Sequence, residues 1–223
     1  AGRNGNSLPR HKHLSRKEVR RRAPALAPHL YRGAVVYSDA SVDDARYVVS
    51  AARTAAGLGA LVLTSAKVTG IVRTESRVSG AQVECLESGK KFEILCGTVV
   101  NATGVWSGDI EAYAGEHGKS VRASKGIHLL IPRNRIELET GLILRTNESV
   151  LFVIPWDHHW IVGTTDTDWD LDRAHPAASQ KDIRYLLSTL NEVLNTPLHY
   201  SDIVGVYAGL RPLLTGESEK TSK

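Results

Sequence analysis

Methionine is absent from all 223 residues, and the chain opens on Ala1 rather than on an initiator. Together with an uncapped tail, Glu219-Lys220-Thr221-Ser222-Lys223, this reads as an internal piece of a longer polypeptide. Cysteine is scarce: Cys85 and Cys96 are the only two, which fits a reducing, cytoplasmic compartment better than a disulfide scaffold. No apolar run approaches the roughly 18–20 residues of a membrane-spanning helix, and no stretch has the pattern of a secretory signal. Gly-x-Ser-x-Gly, His-Glu-x-x-His and Walker motifs are all missing. His11-Lys12-His13 and His158-His159 lack the cysteine or carboxylate partners of a metal centre. What remains, with 42% hydrophobic and 23% charged residues, has the composition of a globular domain of one large or two small units.

The net charge of +4 is local. Residues 10–22 hold seven Lys or Arg (Arg10, Lys12, Arg16, Lys17, Arg20, Arg21, Arg22) against one acid, Glu18, so the remainder is net acidic. Such a run is either a solvated helix face or an attraction to an anionic membrane surface or phosphorylated ligand. Nucleic acid is excluded as a partner, because no aromatic platform or binding motif accompanies the charge.

Periodicity orders the chain. Residues 1–14 read as loose, and Ser15 caps a short basic helix ending near Ala23-Pro24. Leu30 to Tyr37 is extended. Ala45, Val48, Val49, Ala52 and Ala56 recur at helical spacing over 43–56. Ala60 to Thr64 follows as a strand, the order expected of an αβ unit in a parallel sheet. Three short strands, about 66–73, 81–86 and 91–95, form a meander. Val99 to Gly104 then reads as a buried strand that stops in small residues, followed by a helix over 105–114. Beyond Gly118, strands are expected at 121–131, 141–146, 150–156, 160–165 and 203–208, with a helix at 179–194 carrying Ile183, Leu186, Leu187, Leu190 and Leu194. The fold class is α/β (α+β): part of a nucleotide-binding domain, then an antiparallel sheet with a packed helix.

Four places could carry chemistry. In an open α/β sheet, ligands sit beyond the carboxyl ends of strands, so Ala102, Thr103 and Gly104 can wall a nucleotide cofactor; the bland alternative is a tight turn. His128, in Ser124-Lys125-Gly126-Ile127-His128, is a satisfied structural histidine or a catalytic one, and Gly126 points to close approach of a ligand. Gly163-Thr164-Thr165-Asp166-Thr167-Asp168 turns polar where an apolar strand ends, which suits a polar substrate or an ordinary Asx turn. Arg211, in Ala208-Gly209-Leu210-Arg211-Pro212-Leu213, is a fork for phosphate or carboxylate or one half of a structural ion pair.

Taken in order, these runs resemble one family: the aerobic, FAD-dependent glycerol-3-phosphate dehydrogenases. The resemblance rests on Tyr37-Ser38-Asp39-Ala40 with Asp43-Asp44-Ala45-Arg46, on Val99 through Trp106, on Ser124 through His128 and on Gly141-Leu142-Ile143-Leu144-Arg145-Thr146. Val153-Ile154-Pro155-Trp156, Gly163 through Asp168 and Ala208 through Leu213 complete it, over roughly residues 15–215. The family's opening strand, G-x-G-x-x-G turn and helix are not in the chain, so the piece alone is expected to bind FAD poorly and to be inactive. The resemblance implies oxidation of sn-glycerol 3-phosphate to dihydroxyacetone phosphate, with electrons passed through FAD to quinone, in the cytoplasm or peripherally on the inner face of the membrane. It implies catalytic roles for His128 (proton acceptor), Arg211 (substrate anion) and Asp166 (support), and FAD contacts from Val68, Ala102, Thr103, Gly104 and Trp106. The implied layout is a basic segment at 1–36, part of the FAD domain at 37–118, a substrate domain at 119–202, and at 203–223 a strand returning toward the FAD domain with a loose tail. Two other readings stay open: an amine oxidase of the glycine or sarcosine type, and a catalytically inactive fragment.

Overall fold

A computed structural model of the chain describes residues 8–115, 121–146 and 150–214. They fall into two compact units, one drawn from Ala1–Ser38 and Val121–Lys223, the other from Asp39–Ser120.

The first unit is built on one long strand, β6 (Val121–Pro132), whose residues alternate in chemistry. On one edge it pairs with β11 (Gly205–Leu214) over ten residues. On the other edge it meets two short strands in succession: β9 (His159–Gly163) along residues 128–132 and β10 (Thr167–Asp168) along residues 124–125. β8 (Val150–Trp156) and β7 (Leu142–Arg145) extend the sheet beyond β9, all antiparallel. Ile127, Leu129 and Ile131 point to one face and are fully buried, with Leu151, Val153, Trp160 and Val162 from the neighbouring strands. Leu186, Leu187 and Leu190 of α4 (Gln180–Asn191) belong to the same core. Each such side chain contributes about 1.5–3 kcal/mol by leaving water. The apolar stripe of α4 thus does what its spacing predicts.

α4 starts at Ser179, whose hydroxyl accepts from the Asp182 amide while Asp182 accepts from the Ser179 amide, a reciprocal capping box. Asp182 also receives Lys125 of β6 at 2.7 Å, with both side chains almost wholly buried. Lys125 Nζ further donates to the Ala177 carbonyl and lies 4.9 Å above the Trp169 ring. Burial alone would raise the Asp182 carboxyl, but the hydrogen bonds from Lys125 and Ser179 outweigh it and hold the group below its ordinary 3.8.

The first residues join this unit. β1 (Lys12–Ser15) pairs with β2 (Gly33–Val36), so the expected looseness through residue 14 gives way to a strand from Lys12 onward. Residues 1–7, and likewise 215–223 of the expected tail, lie outside the described residues. α1 (Arg16–Arg22) begins at Ser15 with a second capping box, to Glu18, and buries Val19 in the core. Leu26 bridges to Leu194.

The second unit holds α2 (Asp44–Gly57), capped by Asp43, and a meander of β3 (Ala66–Thr74), β4 (Arg77–Cys85) and β5 (Lys91–Leu95). α3 (Ser107–Tyr113) packs against β3 and follows a 3-10 turn at Gly104–Trp106. Cys85 ends β4 and Cys96 follows β5, and both are free thiols.

Two expected strands do not form. Residues 60–64 and 99–103 are irregular, with Leu61 95% and Val100 83% exposed. A strand exists through its neighbour's hydrogen bonds, and no strand lies alongside either segment among the described residues. No helix among the described residues is long and apolar enough to cross a membrane.

Candidate functional site

Alternation along β6 turns Ser124, Gly126 and His128 away from the core. Direct cross-strand partners point to the same side of a sheet. β11 therefore sets Arg211 beside Ser124, Gly209 beside Gly126 and Tyr207 beside His128, and β9 sets Gly163 on the other side of His128. The face is stripped of side chains where two polar groups must lie down on it. A Cβ at Gly126 would stand 2.8 Å from Arg211 Nη2 and 2.5 Å from Thr164 Oγ1. A Cβ at Gly163 would overlap the His128 imidazole, whose Nε2 would be 2.9 Å away. Both glycines answer to close approach.

Arg211 lies inside β11 rather than after the end of a strand, and its side chain is 40% exposed rather than buried. Its guanidinium donates from Nη2 to Thr164 Oγ1 at 3.0 Å and from Nη1 to the Thr165 carbonyl at 3.2 Å. Asp166 Oδ1 stands 3.9 Å from Nη1 and accepts a short hydrogen bond from Ser124 Oγ. The expected strand over 160–165 stops at Gly163. Residues 164–166 cross from β9 to β10, and here side chains replace the ladder. Thr165 Oγ1 accepts from the Ile127 amide at 3.1 Å, and the Lys125 carbonyl accepts from Thr165 and Thr167. The threonines thus aim Arg211 across the sheet.

His128 is half-buried and stacks on Tyr207, ring centroids 4.9 Å apart and planes 15° from parallel. Its Nδ1 is buried with no hydrogen-bond partner among the described residues. Burial first, and the Arg211 charge second, push its pKa below the ordinary 6.5, so the imidazole is neutral at neutral pH and able to accept a proton. The structure brings His128, Arg211 and Asp166 together on one face.

The other candidates lie in the second unit. Val68 is in β3, and Ala102 and Thr103 are exposed at the approach to the turn that holds Gly104 and Trp106. Asn101 shapes that approach: its side-chain oxygen accepts from the Thr103 hydroxyl at 2.7 Å and its amide donates to the Ser107 carbonyl. Gly104 has φ 58°, and nothing lies within 4 Å of where its Cβ would be. Bare backbone of this kind fits the close approach of a nucleotide cofactor.

Sequence reasoning did not single out Tyr207, or Lys125 with Asp182. Glycines at positions 126 and 163 were the available signal that something lies across the strands, but register decides what.

The family model described as DAO, FAD dependent oxidoreductase, matches residues 1–220. Glycerol-3-phosphate dehydrogenase of Mycobacterium leprae is 52% identical over 218 residues, covering 97% of this chain and 37% of that protein. Alpha-glycerophosphate oxidase of Enterococcus casseliflavus is 34% identical, covering 91% and 34% respectively. The chain therefore spans little more than a third of the length of these relatives. The structure of glycerol-3-phosphate dehydrogenase from Bacillus halodurans, complexed with FAD, superposes with a TM-score of 0.84 at 29% identity, over 91% of this chain and 42% of that one.

Proposed function

The chain belongs to the FAD-dependent oxidoreductase family, and we propose that it serves in the oxidation of sn-glycerol 3-phosphate to dihydroxyacetone phosphate. The observation that carries this reading is the juxtaposition of a neutral, proton-accepting His128 and a forked cation, Arg211, on one glycine-cleared face. Bound FAD supplies the two-electron acceptor for the C2–H bond, with quinone as the onward acceptor.

His128 takes the proton of the C2 hydroxyl. With Nδ1 sealed from solvent, Nε2 is the ring atom left to meet it. Arg211 retains N–H groups beyond the two spent on Thr164 and Thr165, and these hold the substrate's anionic end and the oxygen that loses its proton. Asp166, anchored by Ser124, keeps the guanidinium in place. Val68, Ala102, Thr103, Gly104 and Trp106 hold the FAD. On this reading 37–118 is part of the cofactor domain, and 119–202 with the strand of 203–223 serves the substrate. Exposed Lys12, Lys17 and Arg20 support peripheral attachment to an anionic membrane surface.

The test is His128→Gln in the full-length enzyme. Turnover should fall by about 10²- to 10⁴-fold. In the wild type, kcat/KM should fall on the acid side, with a midpoint below 6.5. Unchanged turnover in the variant would remove His128 from the mechanism. Activity on glycine or sarcosine in place of the phosphorylated polyol would replace this reading by the amine-oxidase one.

A further inference from the structure

We propose that Tyr207 is a positioning residue for the proton acceptor: its ring, stacked on His128 from β11 while the bare backbone of Gly163 faces the imidazole from β9, holds the imidazole plane in one orientation. The inference rests on the proton-acceptor reading above for its kinetic consequence, but not for its geometry.

Three observations converge. The rings are nearly parallel at 15° and 4.9 Å, so the tyrosine covers one side of the imidazole. Tyr207 and His128 are direct register partners on adjacent strands, so the backbone ladder fixes their separation. The opposite flank is closed by a residue that must be glycine, because a Cβ at position 163 would enter the ring's space. A histidine whose Nδ1 has no hydrogen-bond partner among the described residues lacks the usual carboxylate or carbonyl that orients a catalytic imidazole. The ring-and-backbone slot takes over that task. Tyr207 is itself 45% exposed, so it is not a core residue that happens to touch a histidine. The charged and titratable groups on this face are Arg211 and Tyr207 on β11, Asp166 on the crossing segment, Arg122 with Asp168 at one end, and His159 on β9 with Arg145 on β7 farther along; directly beside His128, β9 offers only the backbone of Gly163.

The experiment uses full-length enzyme with Tyr207→Ala, Tyr207→Phe and, should the alanine variant fail to fold, Tyr207→Leu, which keeps apolar bulk without an aromatic face. Loss of the aromatic face should lower kcat by about ten- to hundredfold, with KM for glycerol 3-phosphate changing by about twofold at most. Tyr207→Phe should recover most of the loss. In a His128→Gln background, removing the ring should cost nothing more. Equal losses in the alanine and phenylalanine variants, or an undiminished loss in the His128→Gln background, would overturn the proposal.

A second readout does not depend on turnover. Imidazole NMR of His128 should show its titration moving up toward the ordinary histidine value when the aromatic face is removed, since the ring then meets water, and staying in place in Tyr207→Phe. If His128→Gln keeps full turnover, the proton-acceptor reading fails by itself, and this titration alone decides the stack: an unmoved midpoint in Tyr207→Ala overturns it.

Discussion

The two faces of β6 carry opposite burdens. Ile127, Leu129 and Ile131 look into the core under α4, while Ser124, Gly126 and His128 look toward β11's Arg211 and Tyr207. One strand of twelve residues thus serves stability on one side and chemistry on the other, because successive side chains point to opposite faces. Lys125 is the exception, a charge on the apolar side, compensated by buried Asp182. The contrast teaches that substitutions on this strand should sort by parity: odd positions change the melting curve, even positions change the kinetics.

The sharpest way to break that sorting is Asp182→Ala. It leaves Lys125 buried and unpaired, at a cost of about 3–5 kcal/mol in chemical denaturation. The same pair has a pH signature. The Asp182 carboxyl is held below its ordinary value of 3.8, so its contribution is complete above that value and is lost as pH falls through the lowered one. Asp182→Asn should flatten this acid limb of stability against pH. Next comes Leu190→Ala, expected to cost about 2–5 kcal/mol while leaving KM and kcat of the folded protein in place. A large kinetic defect below the melting transition would show that the faces are not independent.

On the opposite face, Arg211→Lys should reduce kcat/KM for glycerol 3-phosphate by about ten- to hundredfold, because an ammonium cannot make the same fork, with a comparatively flat thermal response. A melting shift as large as that of Leu190→Ala would mean that the arginine serves the sheet more than the substrate. The smallest effect is Ser179→Ala, about 1 kcal/mol from one lost cap, which denaturant titration can resolve.

Legibility in the sequence followed the same division. The helix of α4 was readable because a stripe of leucines and a Ser179 cap are local signals, and the strands β6 and β8 because their apolar runs are. Val99-Val100 and Leu61-Val62-Leu63 misled for the same reason. Their composition is that of a buried strand, but pairing is a property of a neighbour, and none lies beside them among the described residues. β1 was missed because Lys12-His13-Leu14-Ser15 has little strand propensity and owes its form to β2. Of the candidate site, His128 and Arg211 were readable as polar intruders in apolar strands. Tyr207 was not, since an aromatic residue in a strand is ordinary until the register places it against an imidazole. Lys125 was hidden likewise, its partner lying a helix away.

The pairing of β11 with β6 also orders events in time. Ribosomes deliver the chain from its amino end, so β6, β9 and α4 are available to condense on their shared apolar side before Gly205–Leu214 has been made. Closing so long a loop costs entropy before its contacts repay it. The cation of the site therefore arrives after the histidine, and a nascent chain halted before position 205 carries the histidine without its arginine.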